Sequence, residues 1–111
     1  MSSVDLLQEY HREKAAVQEA INLRVERGIA KISAEKKYRE EKAKLVARLR
    51  ADNVKVTLIR DLVLGNPTIS KLREEYLLTE MLYDNTIEVI NFGKLNCRLL
   101  AEEIKREYND A

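Results

Sequence analysis

The residues that most often carry chemistry are scarce in this sequence and stand apart from one another. His11 is the only histidine, so no second histidine and no nearby cysteine can complete a metal site with it. Cys97 is the only cysteine, and it falls in a row of apolar residues where it would pack as a small hydrophobic side chain. The sequence therefore predicts no catalytic residue, no metal site and no cofactor, and we expect the protein not to be an enzyme.

Carboxylates are numerous but are not spaced as a catalytic pair. Glu74–Glu75 and Glu102–Glu103 are adjacent pairs, and adjacent residues of a helix do not face each other. Glu80, Asp84 and Glu88 do share a helix face at successive spacings of four. A stripe of this kind is typical of a solvated surface rather than of an acid–base site.

The strongest chemical feature is the basic segment KKYREEKAKLVARLR (36–50), which holds seven Lys or Arg against two Glu. One interpretation is a helix face that follows nucleic-acid phosphates, with Tyr38 as a stacking platform. The candidate nucleic-acid contacts are Lys36, Lys37, Arg39, Lys44 and Arg48.

A second interpretation of this segment is charge balance inside the fold. The first 60 residues hold 14 Lys and Arg against 9 Asp and Glu (+5), and the remaining residues hold 6 against 10 (−4). An antiparallel hairpin would place Lys44 near Glu88, and Arg48 near Asp84. We favour this interpretation because the chain as a whole has a net charge of only +1 and few aromatic residues.

The segment LVLGNPT (62–68) indicates where such a hairpin turns. Gly65 is expected to close one helix in the left-handed conformation, Asn66 to cap the next helix, and Pro67 to occupy its first position. A proline kink in one continuous helix is the competing interpretation. We favour a short connection between antiparallel helices, because stop and start signals coincide here.

The helix after Pro67 has a heptad pattern, which is typical of a coiled coil. Its two rows are Ile69, Tyr76, Tyr83, Ile90, Cys97 and Ile104, and Leu72, Thr79, Thr86, Gly93 and Leu100. Further apolar residues, including Leu82, Ile87 and Val89, widen this face beyond what one partner helix would cover. We therefore predict an oligomer. The candidate interface residues are Ile69, Leu72, Tyr76, Tyr83, Ile87, Ile90, Gly93 and Cys97.

Upstream of the turn the sequence predicts two further helices. Ser2, three residues before Asp5, is a plausible cap for the first. Its expected inner face is Leu7, Tyr10, Val17, Ile21, Val25 and Ile29. Gly28 and Ser33 suggest a break between these two helices, and the alternative is one continuous rod. The segment NVKVTLI (53–59) alternates like a strand, but a lone strand has no partner, so we predict helix. The predicted helices span about 4–30, 34–64 and 67–108.

The fold class predicted from these elements is all-α. We expect an elongated helical hairpin or coiled-coil-like bundle with an N-terminal helix, in a single domain covering residues 1–111. No apolar run reaches transmembrane length and no signal peptide is evident, so we expect no membrane association. A single cysteine fits a reducing compartment, and we expect the protein in the cytoplasm.

The C-terminal half resembles small helical accessory proteins of bacteriophages and prophages of Gram-positive bacteria. The resemblance rests on VTLIRDLVLGN (56–66) followed by LLTEMLYDNTIEVINFGKLNCRLLAEEIKRE (77–107). It implies a phage accessory protein, located in the host cytoplasm, that binds DNA-metabolism machinery or a host defence component. The predicted function is therefore a non-enzymatic helical protein that oligomerises and binds a protein partner. The alternative is a nucleic-acid-binding accessory protein that uses the basic segment.

Overall fold

A computed structural model describes residues 2–110 of the chain. Within these residues there are three α-helices: α1 (Ser3–Ala51), α2 (Val56–Leu64) and α3 (Pro67–Asp110). The segment NVKVTLI (53–59), which alternates like a strand but was predicted to be helical, is helical from Val56. The predicted all-α fold is confirmed.

Helix α1 begins as the sequence predicts but does not break where expected. The Ser2 hydroxyl accepts a hydrogen bond from the Asp5 backbone N–H at 3.2 Å, which caps the helix. The helix then continues through Gly28 to Ala51, so the predicted helices 4–30 and 34–64 are wrong in their bounds. Gly28 lies close to the Tyr83 ring, where a Cβ atom would be 3.3 Å from Cε2. Gly28 therefore leaves room for the Tyr83 ring and does not end a helix.

The true end of α1 lies at Asn53, which the sequence analysis placed inside a helix. Asn53 has a φ of 60° and is the one non-glycine residue with positive φ in the described chain. Its N–H bonds to the Arg50 carbonyl at 3.0 Å, and the Val54 N–H bonds to the Leu49 carbonyl at 3.1 Å. This pair of bonds is a Schellman motif with asparagine in the left-handed position.

The connection from α2 to α3 combines one wrong prediction with two that are confirmed. Gly65 has φ −85° and ψ −4°, so it continues the right-handed conformation rather than adopting the left-handed one. The Asn66 side-chain oxygen accepts hydrogen bonds from the N–H groups of Thr68 (3.0 Å) and Ile69 (3.1 Å). Pro67 is the first residue of α3. The predicted cap at Asn66 and the predicted start at Pro67 are therefore confirmed, whereas α2 ends without a glycine in the left-handed conformation.

Contacts divide the chain into two compact units. One unit comprises the residues up to Glu26 together with those from Asp84 onward, and the other comprises Arg27–Tyr83.

In the first unit, the N-terminal part of α1 packs on the C-terminal part of α3. Its buried residues are Leu6, Ala20, Thr86 and Ile90. Gly93 lies directly against Val17, where a Cβ atom would be only 2.5 Å from Cγ2. Gly93, which was predicted to lie at an oligomer interface, therefore makes a close helix contact within the chain.

In the second unit, all three helices contribute to one hydrophobic cluster. The buried members are Leu45, Ile59, Val63 and Ile69, with Tyr38, Val46, Leu49 and Val54 packed around them. Helix α2 supplies the central pair, Ile59 and Val63, at a helical spacing of four. The nine-residue helix α2 thus holds the ends of α1 and α3 together.

The hairpin is confirmed, but its arms and register differ from the prediction. Helix α1, not a helix that ends at residue 64, is the arm that pairs with α3. The ring of Tyr38 stacks on Tyr76 with centroids 6.0 Å apart, and Lys31 lies 5.1 Å from the centre of the Tyr83 ring. Because α2 occupies the connection, each α1 residue pairs with an earlier residue of α3 than predicted. The expected proximity of Lys44 to Glu88 is therefore wrong.

The two helices differ in how well their inner faces were predicted. Every member of both heptad rows of α3 is buried or half-buried, as expected. On α1, Tyr10, Val17 and Ile21 are half-buried as predicted, but Leu7, Val25 and Ile29 are exposed, with Ile29 at 64%. Leu6 and Ala20 are buried instead.

The Schellman motif gives a first testable prediction. Replacing Asn53 with Val should lower the free energy of unfolding by about 1–2 kcal/mol, because a β-branched residue resists positive φ. Replacing it with Gly should be neutral or slightly stabilising. Chemical denaturation followed by circular dichroism measures both. Gly65→Ala is the comparison and should cost less than Asn53→Val, since the φ of Gly65 is negative and a Cβ atom there would meet only the Asp61 carbonyl oxygen, at 3.3 Å; equal losses at the two positions would contradict this assignment.

The contact at Gly93 gives a second prediction. Gly93→Ala should destabilise the chain by about 1–3 kcal/mol, because the new methyl group would overlap the Val17 side chain. Val17→Ala in the same chain should remove most of that additional loss, and a double-mutant cycle in denaturant measures the coupling. Strictly additive losses from the two changes would show that the two side chains do not meet.

Candidate interaction surfaces

A groove opens between α1, α2 and the first turns of α3, on the outside of the second unit's core. Its volume is about 470 Å³, within the range of ligand and peptide sites in proteins. The apolar floor is formed by Tyr38, Val46, Val56, Ile59, Val63 and Leu64. Val56 is 79% exposed and Leu64 is 53% exposed. The floor is therefore open to a partner rather than enclosed as a core.

Cations surround this floor, and we call the whole surface the basic groove. The cations are Lys42, Arg50, Arg60 and Arg73, and no carboxylate lines the groove. Within residues 2–110 none of these four side chains makes an ion pair. Lys42 lies 5.6 Å from the centre of the Tyr38 ring, a cation–π contact. The groove thus combines an apolar base with uncompensated positive charge.

A second exposed surface lies on the neighbouring face of α3. Leu77, Leu78 and Met81 are 44%, 50% and 61% exposed, and they line one shallow depression with Glu74. Glu75, three residues before Leu78, flanks the same surface. We call these five residues the α3 strip. Arg73 borders both the strip and the basic groove.

The C-terminal part of α3, in the first unit, also carries exposed apolar side chains on its outer side. Val89, Phe92, Leu95 and Leu99 are between 40% and 65% exposed, with Phe92 the most exposed of the four. Their spacing of three or four residues places them on one outer face. We call this set the outer row.

The residues predicted for an oligomer interface are mainly the inner seam of the chain itself. Ile69, Gly93 and Ile90 are buried, and Leu72, Tyr76, Tyr83, Ile87 and Cys97 are half-buried. Their heptad spacing is the spacing of the α1–α3 contact, and a heptad pattern does not say whether the partner helix is in the same chain or another. The apolar side chains of α3 that this contact leaves exposed include those of the α3 strip and the outer row.

The basic residues predicted to contact nucleic acid do not form one free cationic face. Three of them pair with glutamates of α1: Arg39 with Glu35 at 2.7 Å, Lys44 with Glu41 at 3.2 Å, and Lys36 with Glu40 at 3.9 Å. Lys37 is exposed.

Arg48 does not lie near Asp84, where charge balance across the hairpin would place it. It lies in the last turn of α1, where a cation complements the helix dipole. Together with Lys44 it borders a hollow beside Asn66, Thr68 and Ile69, not beside Asp84.

In the described chain, His11 and Cys97 do not belong to a cluster of reactive side chains. His11 contacts the neighbouring Tyr10 ring edge to face, with centroids 5.6 Å apart. Cys97 is a free, half-buried thiol. In the described part of the chain, no group of three or more His, Cys, Asp or Glu side chains could hold a metal ion. Nor is any helix of residues 2–110 long and apolar enough to cross a membrane.

Sequence reasoning missed the basic groove, because its residues come from three helices. The signal that could have found it is the end of α1: Asn53 between two apolar segments marks a turn, and a turn there makes α2 a separate helix. Once α2 is separate, its exposed face brings Val56 and Arg60 beside the end of α1.

No protein-family model matches this chain, and no curated protein or solved structure matches it either.

The polar edge of the inner seam gives a third prediction, on pH. A hydrogen bond to the Glu80 carboxylate, with burial and the charge of Glu35, raises the pKa of Tyr76 above 10.0. Because folding favours the neutral phenol, this contribution to stability is complete below pH 10 and is lost as the pH rises through the raised pKa. Glu80→Gln should lower the pKa of Tyr76, measured by NMR of labelled tyrosine. Glu75→Gln is the control and should leave it unchanged; equal pKa values in all three proteins would contradict the bond.

Proposed function

We propose that this protein is a non-enzymatic helical interaction protein that self-associates and presents helical surfaces to a protein partner. The observation that carries the proposal is the amount of exposed surface. The chain exposes 8568 Å², whereas a compact monomer of 12.9 kDa exposes roughly 6,300 Å² by the area–mass relation. The difference, about 2,300 Å², is of the size that permanent subunit interfaces bury.

The chemical character of that surface supports the same proposal. Large apolar side chains are exposed on the outer row and the α3 strip, and contiguous apolar patches on a protein surface mark interaction sites. Helical protein partners recognise such surfaces through apolar side chains at spacings of three and four. A two-fold homodimer is the commonest arrangement that covers them.

Protein binding is favoured over the nucleic-acid alternative by the state of the basic segment. Three of its five candidate residues are engaged by glutamates of the same helix, which lowers the charge available to phosphates. The resemblance to phage accessory proteins supports a partner in DNA metabolism or host defence, and that setting is part of the proposal.

The fourth prediction tests self-association. Sedimentation at micromolar concentration should give a mass of at least twice 12.9 kDa. Met81→Glu should weaken association by about 30-fold or more, because it places a charge among the apolar side chains of the α3 strip. Ala101→Glu is the matched control, since it adds the same charge on an exposed residue of α3 outside the strip and the basic groove, and should retain the wild-type mass. A wild-type monomer at every concentration tested would refute self-association.

The partner half of the proposal has its own test. Wild-type protein used as bait in a lysate of the native host should retain a defined protein in stoichiometric amount, and nuclease treatment should not release it. Loss of every retained protein on nuclease treatment would instead support the nucleic-acid alternative.

A further inference from the structure

We propose that the basic groove of one copy binds the α3 strip of a second copy, so that two copies exchange equivalent contacts. This inference rests on the proposed self-association and names the surfaces that carry it. The charges, the apolar side chains and the placement of the two surfaces on one helix each point to this pairing.

The charges of the two surfaces are complementary. The groove presents four cations without an ion pair in the described chain, and Glu74 and Glu75 of the strip are exposed and equally without one. No Lys or Arg occurs between Arg73 and Lys94, so no cation of that segment opposes the groove. Opposite charges on two surfaces steer their encounter and fix their register.

The apolar parts of the two surfaces also match. The groove floor is mostly aliphatic, and the strip offers Leu77, Leu78 and Met81, of which Met81 has a flexible side chain that fits an irregular cavity. These three residues follow Glu74 at three, four and seven positions, the spacing with which an amphipathic helix enters an apolar groove. Docking would cover side chains on both sides that solvent now contacts.

The position of Arg73 allows the two copies to form a closed dimer. Arg73 borders both surfaces, so each copy carries its groove and its strip side by side on α3. In a two-fold dimer, a contact from surface i to surface j is accompanied by the contact from j to i. One two-fold axis therefore satisfies both grooves and both strips, and no open chain of copies is formed.

A nucleic acid fits the groove less well than a second copy does. Phosphates would use the cations but would leave the aliphatic floor uncovered, and single strands bind through stacking on aromatic rings. The one aromatic ring of the floor, Tyr38, already stacks on Tyr76. The floor thus favours aliphatic side chains from a protein.

Exchanging charges between the surfaces tests the proposal. The groove variant carries Lys42→Glu and Arg60→Glu, and the strip variant carries Glu74→Lys and Glu75→Lys. The strip variant alone opposes like charges in both contacts, and the groove variant alone removes the net positive charge that Glu74 and Glu75 would meet, since only Arg50 and Arg73 remain as cations. Each should dimerise at least about 100-fold more weakly than the wild type. Mixed in equal amounts, they restore opposite charges in both contacts, and sedimentation should recover a heterodimer within about tenfold of the wild-type affinity. Circular dichroism confirms that each variant is folded.

A charge-matched control separates this pairing from attraction between oppositely charged chains. Lys37→Glu with Lys105→Glu gives the same net charge as the groove variant but leaves the groove intact. It should dimerise as the wild type does. Mixed with the strip variant it should pair much more weakly than the groove variant does, because only one of the two contacts then joins opposite charges. If it pairs with the strip variant as well as the groove variant does, the inference is overturned.

The inference and the proposed function fail in different ways. A wild-type monomer removes both. A wild-type dimer whose mass and affinity are unchanged in the groove and strip variants removes only the inference, since association then uses other surfaces. If instead the groove variant loses binding to a short duplex oligonucleotide while its self-association is unchanged, the groove binds nucleic acid and the inference is likewise overturned.

Discussion

A helix that packs against a single neighbour can bury only one row of its side chains, and the exposed surfaces of this protein follow from that constraint. In the unit formed by the two ends of the chain, α1 and α3 contribute one helical segment each. The seam buries Leu6, Ala20 and Ile90, and larger apolar residues such as Phe92 remain in solvent. A third helix would cover them, and no described segment of the chain supplies one there.

The unit from Arg27 to Tyr83 covers part of its apolar surface with a third helix of its own. Its third helix, α2, inserts Ile59 and Val63 between the other two and so forms a buried cluster with Leu45 and Ile69. The same short helix has an outer side, and where that side meets α1 and α3 it forms the basic groove. The core and the groove therefore lie on the inner and the outer side of the same helix, α2. This placement explains why the cations of the groove come from all three helices and why no single stretch of sequence announces it.

Local rules predicted those features that depend on a few neighbouring residues. The caps at Ser2 and Asn66, the start of α3 at Pro67 and the inner heptad rows of α3 follow from hydrogen-bonding capacity, the missing proline donor and side-chain spacing. The same rules failed where two of them competed. Gly28 and Gly65 resembled helix ends, but one packs against Tyr83 and the other keeps a negative φ. Asn53 ended the helix instead, because its side chain tolerates the left-handed conformation and apolar Val54 can then turn back onto the core.

The sequence alone therefore determined that the chain is helical, where α3 begins, and which of its rows faces inward, because these properties are set by spacing and by bonds between residues close along the chain. It could not determine which row of α1 meets α3, how the two helices are aligned, or that three helix ends enclose a basic groove. The predicted row of α1 was only partly right, because Leu6 and Ala20 are buried where Leu7, Val25 and Ile29 were expected. The close approach of Val17 to Gly93 and the length of the connection containing α2 decide which residues stand opposite one another, and neither follows from local spacing.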